Sequence, residues 1–386
     1  MKRRICFVTG SRAEFGLLRW LMQDVKLDSG LDLQVVVTGM HLSSEYGFTY
    51  REIEQAGFLI NYKVEMLLNS DSATAITKSI GLGLFGFADA YATLCPDLVV
   101  VLGDRFELIS AVSSALIAGI PVAHIHGGET TEGAFDEAIR HSITKMSHLH
   151  FVAAPDYARR VVQLGEHPEK VFLVGGLGTD AIKRIKLLSR GDLEKSLNFK
   201  FSNKNLLITF HPVTLDDFSS ADQMQALLDA LVGLVDTQLI FTMPNADNGG
   251  RELAHMVENF VKLHPNARVY TSLGQLKYLS CMQFVDGVVG NSSSGMAEAP
   301  SMGIGTVNIG DRQKGRLSAG SIIHCPPNRH EILNAINQLY DLEFKLYIKS
   351  VENPYGNGGA AKKIYEIIKN FPLHGITKKS FYDLSF

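Results

Sequence analysis

One pattern constrains this chain more than any other: short, continuous apolar runs alternate with longer stretches of helical periodicity almost from end to end. Residues 4–9, 33–38, 98–102, 122–125, 149–153 and 171–174 read as strands. Their apolar residues are continuous rather than alternating, which marks strands buried on both faces of a parallel sheet. Helical stretches at 15–26, 74–94 and 106–118 separate them. The pattern then restarts, with strands expected at 205–209, 238–242, 268–270, 287–289, 305–309 and 321–324 and helices at 223–235 and 251–263. The polar segment 186–205 reads as a helix and a loop between the halves. The expectation is an α/β chain of two Rossmann-like doubly wound domains, 1–175 and 176–364, with a helix or tail at 365–386 returning to the first. A length of 386 residues agrees with two domains of roughly 100–200 residues each.

Composition narrows the function classes. Hydrophobic residues make up 46% and charged residues 20%, and the net charge is −3, so no global field favours nucleic acid or an anionic membrane. No apolar run is long enough to span a bilayer. The basic start Met1-Lys2-Arg3-Arg4 leads into an apolar run too short for a signal-peptide core. Cys6, Cys95, Cys281 and Cys325 form no C-x-x-C pair. That spacing argues against zinc or a disulfide framework, and a reducing, cytoplasmic setting is expected.

Doubly wound sheets bind ligands beyond the carboxyl ends of their strands, and polar residues gather at those places here. Gly10-Ser11-Arg12, Gly103-Asp104-Arg105 and His124-Ile125-His126-Gly127-Gly128-Glu129 end strands of the first half. His211-Pro212, Pro244-Asn245-Ala246-Asp247, Gly290-Asn291-Ser292-Ser293-Ser294-Gly295 and Gly310-Asp311-Arg312 end strands of the second. In residues 290–295, small side chains would let the backbone approach an anion ahead of a helix expected near Met296. The same serines also suit an ordinary N-cap. Arg12 and Arg312 are suited to bidentate phosphate contact or to surface ion pairs.

Asp104, Glu129 and Asp136 are candidates for proton transfer. Asp136 could equally pair with Arg140 at i,i+4, and Asp104 could pair with Arg105 or cap the next helix. His124-x-His126 on one strand would put both rings on one face, but no third ligand is evident and a metal is not expected. Gly81-x-Gly83-x-x-Gly86 matches a dinucleotide fingerprint in letters only, because no strand precedes it. No Gly-Lys-Ser/Thr phosphate loop occurs.

The ordered set TGSRAEFG (9–16), TGMH (38–41), GDRFE (103–107), HIHGGE (124–129), FDEAIRHSITKMSHLHF (135–151), FHP (210–212), PNAD (244–247), GNSSSG (290–295) and NIGDRQKGR (308–316) resembles the hydrolysing UDP-N-acetylglucosamine 2-epimerases. The resemblance implies a GT-B-type fold whose two domains face each other across a cleft. It implies a UDP-sugar substrate, UDP as product, no metal or nicotinamide cofactor and a homodimer. Arg12, His211, Ser292, Ser293 and Arg312 would hold the pyrophosphate and Glu298 the ribose, with Asn245 and the Leu273 backbone near the uridine. Asp104, Glu129 and Asp136 would be the catalytic carboxylates, with His211 acting beside them and Arg105 and His141 supporting them.

The residue types suit elimination of UDP to a 2-acetamidoglucal followed by rehydration. The non-hydrolysing epimerase and a GT-B glycosyltransferase are the competing readings. UDP-N-acetylglucosamine is the expected substrate, with its 4-acetamido-4,6-dideoxy analogue, UDP-N,N'-diacetylbacillosamine, as the alternative, for a nonulosonic (sialic or legionaminic) acid route.

Overall fold

The computed structural model describes residues 2–70, 72–131, 135–213, 219–244 and 249–384. The chain divides into two compact units. One comprises 1–129, 136–181 and 358–386, and the other 130–135 and 182–357.

The first unit is built on seven strands: β1 (Arg3–Thr9), β2 (Leu31–Thr38), β3 (Tyr62–Val64), β4 (Leu98–Leu102), β5 (Val122–Ile125), β6 (Leu149–Val152) and β7 (Val171–Leu173). They form a parallel sheet in the order β3-β2-β1-β4-β5-β6-β7. The crossovers are α1 (Arg12–Leu27), α2 (Tyr50–Gln55), α3 (Ala73–Leu94), α4 (Phe106–Ile117), α5 (Asp136–Met146) and α6 (Pro155–Gln163). α7 (Leu177–Arg184) follows β7 and leads out of the unit. β1 and β4 are buried throughout their apolar residues, as continuous apolar runs require.

The second unit contains β8 (Lys204–Thr209), β9 (Thr237–Thr242), β10 (Ala267–Tyr270), β11 (Gly287–Gly290), β12 (Gly305–Ile309) and β13 (Ile322–Cys325), in the order β10-β9-β8-β11-β12-β13. Its helices are α8 (Arg190–Leu197), α9 (Ser220–Leu231), α10 (Gly250–Leu263), α11 (Gly274–Met282), α12 (Ser293–Ala297), α13 (Arg329–Leu339) and α14 (Leu342–Tyr347). The chain then returns to the first unit as α15 (Ala360–Asn370), which buries Ala360, Ala361, Ile364 and Ile368 in that core.

The units divide at 181/182 and 357/358, against the expected 175/176 and 364/365. Two local reasons account for the difference. Leu177, in the first turn of α7, belongs to the core of the first unit. Asp180 accepts hydrogen bonds from the backbone N–H groups of Gly359 and Ala361. A helix start leaves its first N–H groups without intrahelical partners. Gly359, at φ 93°, has no side chain to supply the missing acceptor, so a carboxylate distant in sequence does. Strand β3 and helix α2 were not expected from the sequence, and α12 starts at Ser293 rather than near Met296. Among the described residues no helix is long and apolar enough to cross a membrane.

Candidate active site

In the first unit, strand order reverses between β1 and β4, and the candidate residues stand at the carboxyl ends of β1, β4 and β5, where such sheets bind ligands. After β1, Ser11 caps α1 in a full capping box: its side chain accepts from the N–H of Glu14, whose carboxylate answers toward Gly10 and Ser11. Arg12 begins α1 and lies 2.9 Å from Glu52, so it is ion-paired in this structure. Glu14 is 6% exposed and Glu107 is 1% exposed. Burial first, and then the charge of Glu107, pushes the Glu14 carboxyl up to about 7, against the opposing pull of Arg105 and the two backbone N–H groups. Arg105 donates to Glu107 at 3.2 Å.

Asp104 does not take either role open to it in the sequence. It pairs with Arg140 of α5, whose side chain is 1% exposed, and Arg140 also reaches Glu137 at 3.3 Å. α4 begins after Arg105 with no side-chain cap bond. Asp104 therefore sits partly open at the end of β4 with a buried cation behind it.

Glu129 is 3% exposed and lies 3.4 Å from His126 Nδ1. The N–H of Leu177 donates to His126 Nε2 at 3.4 Å. His126 is at φ 66°, beyond the end of β5, so it does not share a strand face with His124. His124 is fully buried, and burial pushes it down to about 3, so it is neutral. Its Nε2 donates to the Gly103 carbonyl at 2.8 Å and its Nδ1 accepts from Thr144 at 3.1 Å. A neutral histidine thus ties the turn before Asp104 to the helix that carries Arg140.

Asp136 opens α5 and is half-buried. His141, on the next turn, bonds Glu137 through Nε2 at 3.0 Å, and its buried Nδ1 has no hydrogen-bond partner among the described residues. Among the described residues no three His, Cys, Asp or Glu side chains gather as a metal set.

In the second unit His211, Ser292, Ser293 and Arg312 follow the carboxyl ends of β8, β11 and β12, which are neighbours across that sheet's own reversal point. Gly290 is at φ 134°, and a Cβ there would lie 2.0 Å from the Thr209 carbonyl oxygen, so only glycine allows β11 to close on β8. Asn291 follows, and its side chain clamps His211 twice, accepting from the backbone N–H at 2.7 Å and donating to the carbonyl at 2.9 Å. The Asn291 carbonyl in turn accepts from Arg312 at 3.2 Å and from Gln313 at 2.8 Å. His211, Asn291 and Arg312 thereby form one rigid knot at three strand ends. Ser292 caps α12, accepting from Ser294, so the capping role is present here; Ser293 is exposed at the helix start. Glu298 ends α12, and burial raises its carboxyl while Ser294 and Arg316 oppose the rise. Leu273 is the buried N-cap residue of α11. Asn245 lies outside the described residues.

The sequence reading missed Glu14, Glu107, His124 and Asn291 as organisers. The Ser11-x-x-Glu14 spacing is a legible capping box; the other three show their roles only through contacts distant in sequence.

A family model described as UDP-N-acetylglucosamine 2-epimerase matches residues 23–369. The GDP/UDP-N,N'-diacetylbacillosamine 2-epimerase (hydrolyzing) of Campylobacter jejuni is 43% identical, over 99% of this chain and 100% of the relative. The polysialic acid biosynthesis protein P7 of Escherichia coli is 39% identical, over 99% and 98%. A crystal structure of UDP-GlcNAc 2-epimerase from Neisseria meningitidis bound to UDP-GlcNAc is similar in fold, with a TM-score of 0.81 at 19% identity, covering 95% of this chain and 99% of that one. The two parallel-sheet units are those of the GT-B-type fold.

Proposed function

This chain belongs to the UDP-N-acetylglucosamine 2-epimerase family, and from that premise we propose that it is a hydrolysing 2-epimerase releasing UDP and a free 2-epimerised sugar. The substrate we assign is UDP-N,N'-diacetylbacillosamine, on the strength of the Campylobacter relative, with UDP-N-acetylglucosamine as its competitor. The product would enter a nonulosonic acid route of the legionaminic or sialic type.

The observation that carries the reading is the set Asp104, Glu129 and Asp136 at the ends of β4 and β5 and the start of α5, three carboxylates beside one sheet's reversal point. The sugar's C2–H is not adjacent to a carbonyl, so direct deprotonation is prohibitive. Loss of UDP first puts positive charge on the ring and makes C2–H acidic. We assign the diphosphate to Arg12, His211, the Ser292–Ser293 turn and Arg312, whose donors meet the charge that develops on the leaving group. Glu298 takes the ribose, and Asn245 and Leu273 the uridine. A carboxylate then removes the C2 proton to give the glycal. Protonation from the opposite face and addition of water at C1 complete the reaction, and two faces call for more than one acid/base group. His141 and Arg105 support the carboxylates.

Incubation with each UDP-sugar in D2O tests this. Free UDP together with a free mannose-configured sugar carrying deuterium at C2 is the expected outcome. Deuterated UDP-sugar without free UDP would instead identify the non-hydrolysing reaction, and turnover only with an added acceptor would identify a glycosyltransferase.

We also read the protein as a cytoplasmic homodimer. Its cysteines are free. Phe85 on α3 and Ile117 on α4 stand 77% and 89% exposed, and Leu82, Leu84 and Leu116 on the same two helices are exposed as well; we read these apolar side chains as the contact for a second copy. A sedimentation mass equal to a single chain would refute the dimer.

A further inference from the structure

Helix α5 carries Asp136, Arg140 and His141 along one rod of eleven residues, so what holds its far end also aims these side chains. The last carbonyls of a helix have no intrahelical partners and carry its partial negative charge. Here they are met from the end of the chain. Lys379 donates to the Lys145 carbonyl at 2.7 Å and to the Ser147 carbonyl at 2.5 Å. The same ammonium lies 2.6 Å from Glu166, which is 1% exposed and also receives Lys145 at 2.9 Å and His150 at 2.8 Å.

The segment around Lys379 has no helix or strand to hold it and is pinned by its own contacts. The Tyr382 N–H donates to the Gly165 carbonyl at 3.0 Å. Phe381 packs on Gly165, where an added Cβ would come within 2.3 Å of the ring. The Lys145 ammonium lies over the Phe381 ring at 4.7 Å. The far end of α5 is therefore closed by this strap, which also supplies a cation to the buried Glu166.

We propose that Lys379 is a positioning residue for catalysis: the C-terminal strap caps α5 and so fixes where its first two turns present Asp136 and Arg140. The inference rests on the acid/base role assigned above to α5. A helix that slides or tilts by even about 1 Å shifts the reacting groups enough to cost up to a hundredfold in rate. The strap acts from the opposite end of the helix, so its loss alters turnover without touching the residues assigned to UDP.

The test compares Lys379→Met, Lys379→Arg and Phe381→Ala in the full chain. Lys379→Met is expected to lower kcat about tenfold, with KM and the Kd for UDP within about twofold. Amide exchange should quicken in residues 136–146 and not in α1. Lys379→Arg, which keeps a cation and donors, should restore most of kcat. If Lys379→Met fails to fold because Glu166 loses a partner, Phe381→Ala loosens the strap with that ion pair's charges intact and should show the same kcat loss. Unchanged kcat in a folded Lys379→Met variant, or an Arg variant as slow as the Met variant, overturns the proposal. Asp136→Asn separates the two readings. If it abolishes turnover while Lys379→Met does not, only this inference falls; if it retains turnover, the role of α5 falls and this inference with it.

Discussion

Glu14 makes one carboxylate serve two purposes whose demands conflict. As the third residue of a capping box it must accept from Gly10 and Ser11, which favours the ionised form. As a buried group facing Glu107 it is pushed toward the neutral form, and its carboxyl titrates near 7 rather than at 4.5. Between those two values the folded protein holds a proton that the unfolded chain has released. The stabilisation is therefore complete below about pH 4.5 and is lost as pH rises through 7. The amount is about 3 kcal/mol, as an order of magnitude. Glu14→Gln keeps an oxygen for the two backbone donors but does not titrate. Relative to wild type, its stability should improve by up to about 3 kcal/mol between pH 5 and pH 8, read from urea midpoints at each pH. An offset that is the same at both would mean that Glu14 is ionised throughout. The sequence shows the box through its spacing, but not the conflict, because Glu107 is brought to Gly10 only when β1 and β4 pair.

At the scale of elements, α3 explains why a glycine pattern is not a nucleotide site. Gly81, Gly83 and Gly86 all lie inside this helix. A Cβ on Gly83 would meet Ser110 Cβ at 2.8 Å and Met66 at 3.0 Å, and one on Gly86 would meet Val64 at 2.6 Å. These two glycines let α3 settle against α4 and β3, whereas a Cβ on Gly81 meets nothing within 4 Å. Gly83→Ala should cost about 1–3 kcal/mol by overpacking, while Gly81→Ala should gain about 0.5–1 kcal/mol of helix propensity. Neither should alter the Kd for UDP. Equal effects in thermal unfolding would refute the packing account.

The strands with continuous apolar runs were legible because burial on both faces leaves no other composition available. β3 was not, since its three residues, Tyr62, Lys63 and Val64, lie at the sheet edge and only the last is buried. The start of α12 was misplaced because Ser292, read in part as phosphate ligand, is also the cap. The return of α15 depends on Asp180, some 180 residues away, and no local pattern encodes that.

At the scale of the whole molecule, the residues assigned to proton transfer and those assigned mainly to UDP are drawn from separately folded cores, so defects in one should be separable from defects in the other. Asp104 belongs to the first unit and Arg312 to the second. Asp104→Asn should lower kcat by about 10²-fold or more, the usual range for removing an acid/base group. The Kd for UDP should change by less than about threefold. Some stability will be lost too, because the buried Arg140 loses the carboxylate of Asp104 as a charged partner. Unfolding midpoints must therefore accompany the kinetics, so that turnover is compared at temperatures where the variant is folded. Arg312→Met should do the reverse to binding, raising the Kd for UDP by about 10- to 100-fold through loss of a charge-assisted contact. It should leave the stability of the first unit unchanged. Calorimetric titration of UDP into each variant decides the matter. If Asp104→Asn weakens UDP binding as much as it slows turnover, Asp104 acts in holding the nucleotide sugar. The chemistry would then rest on Glu129 and Asp136.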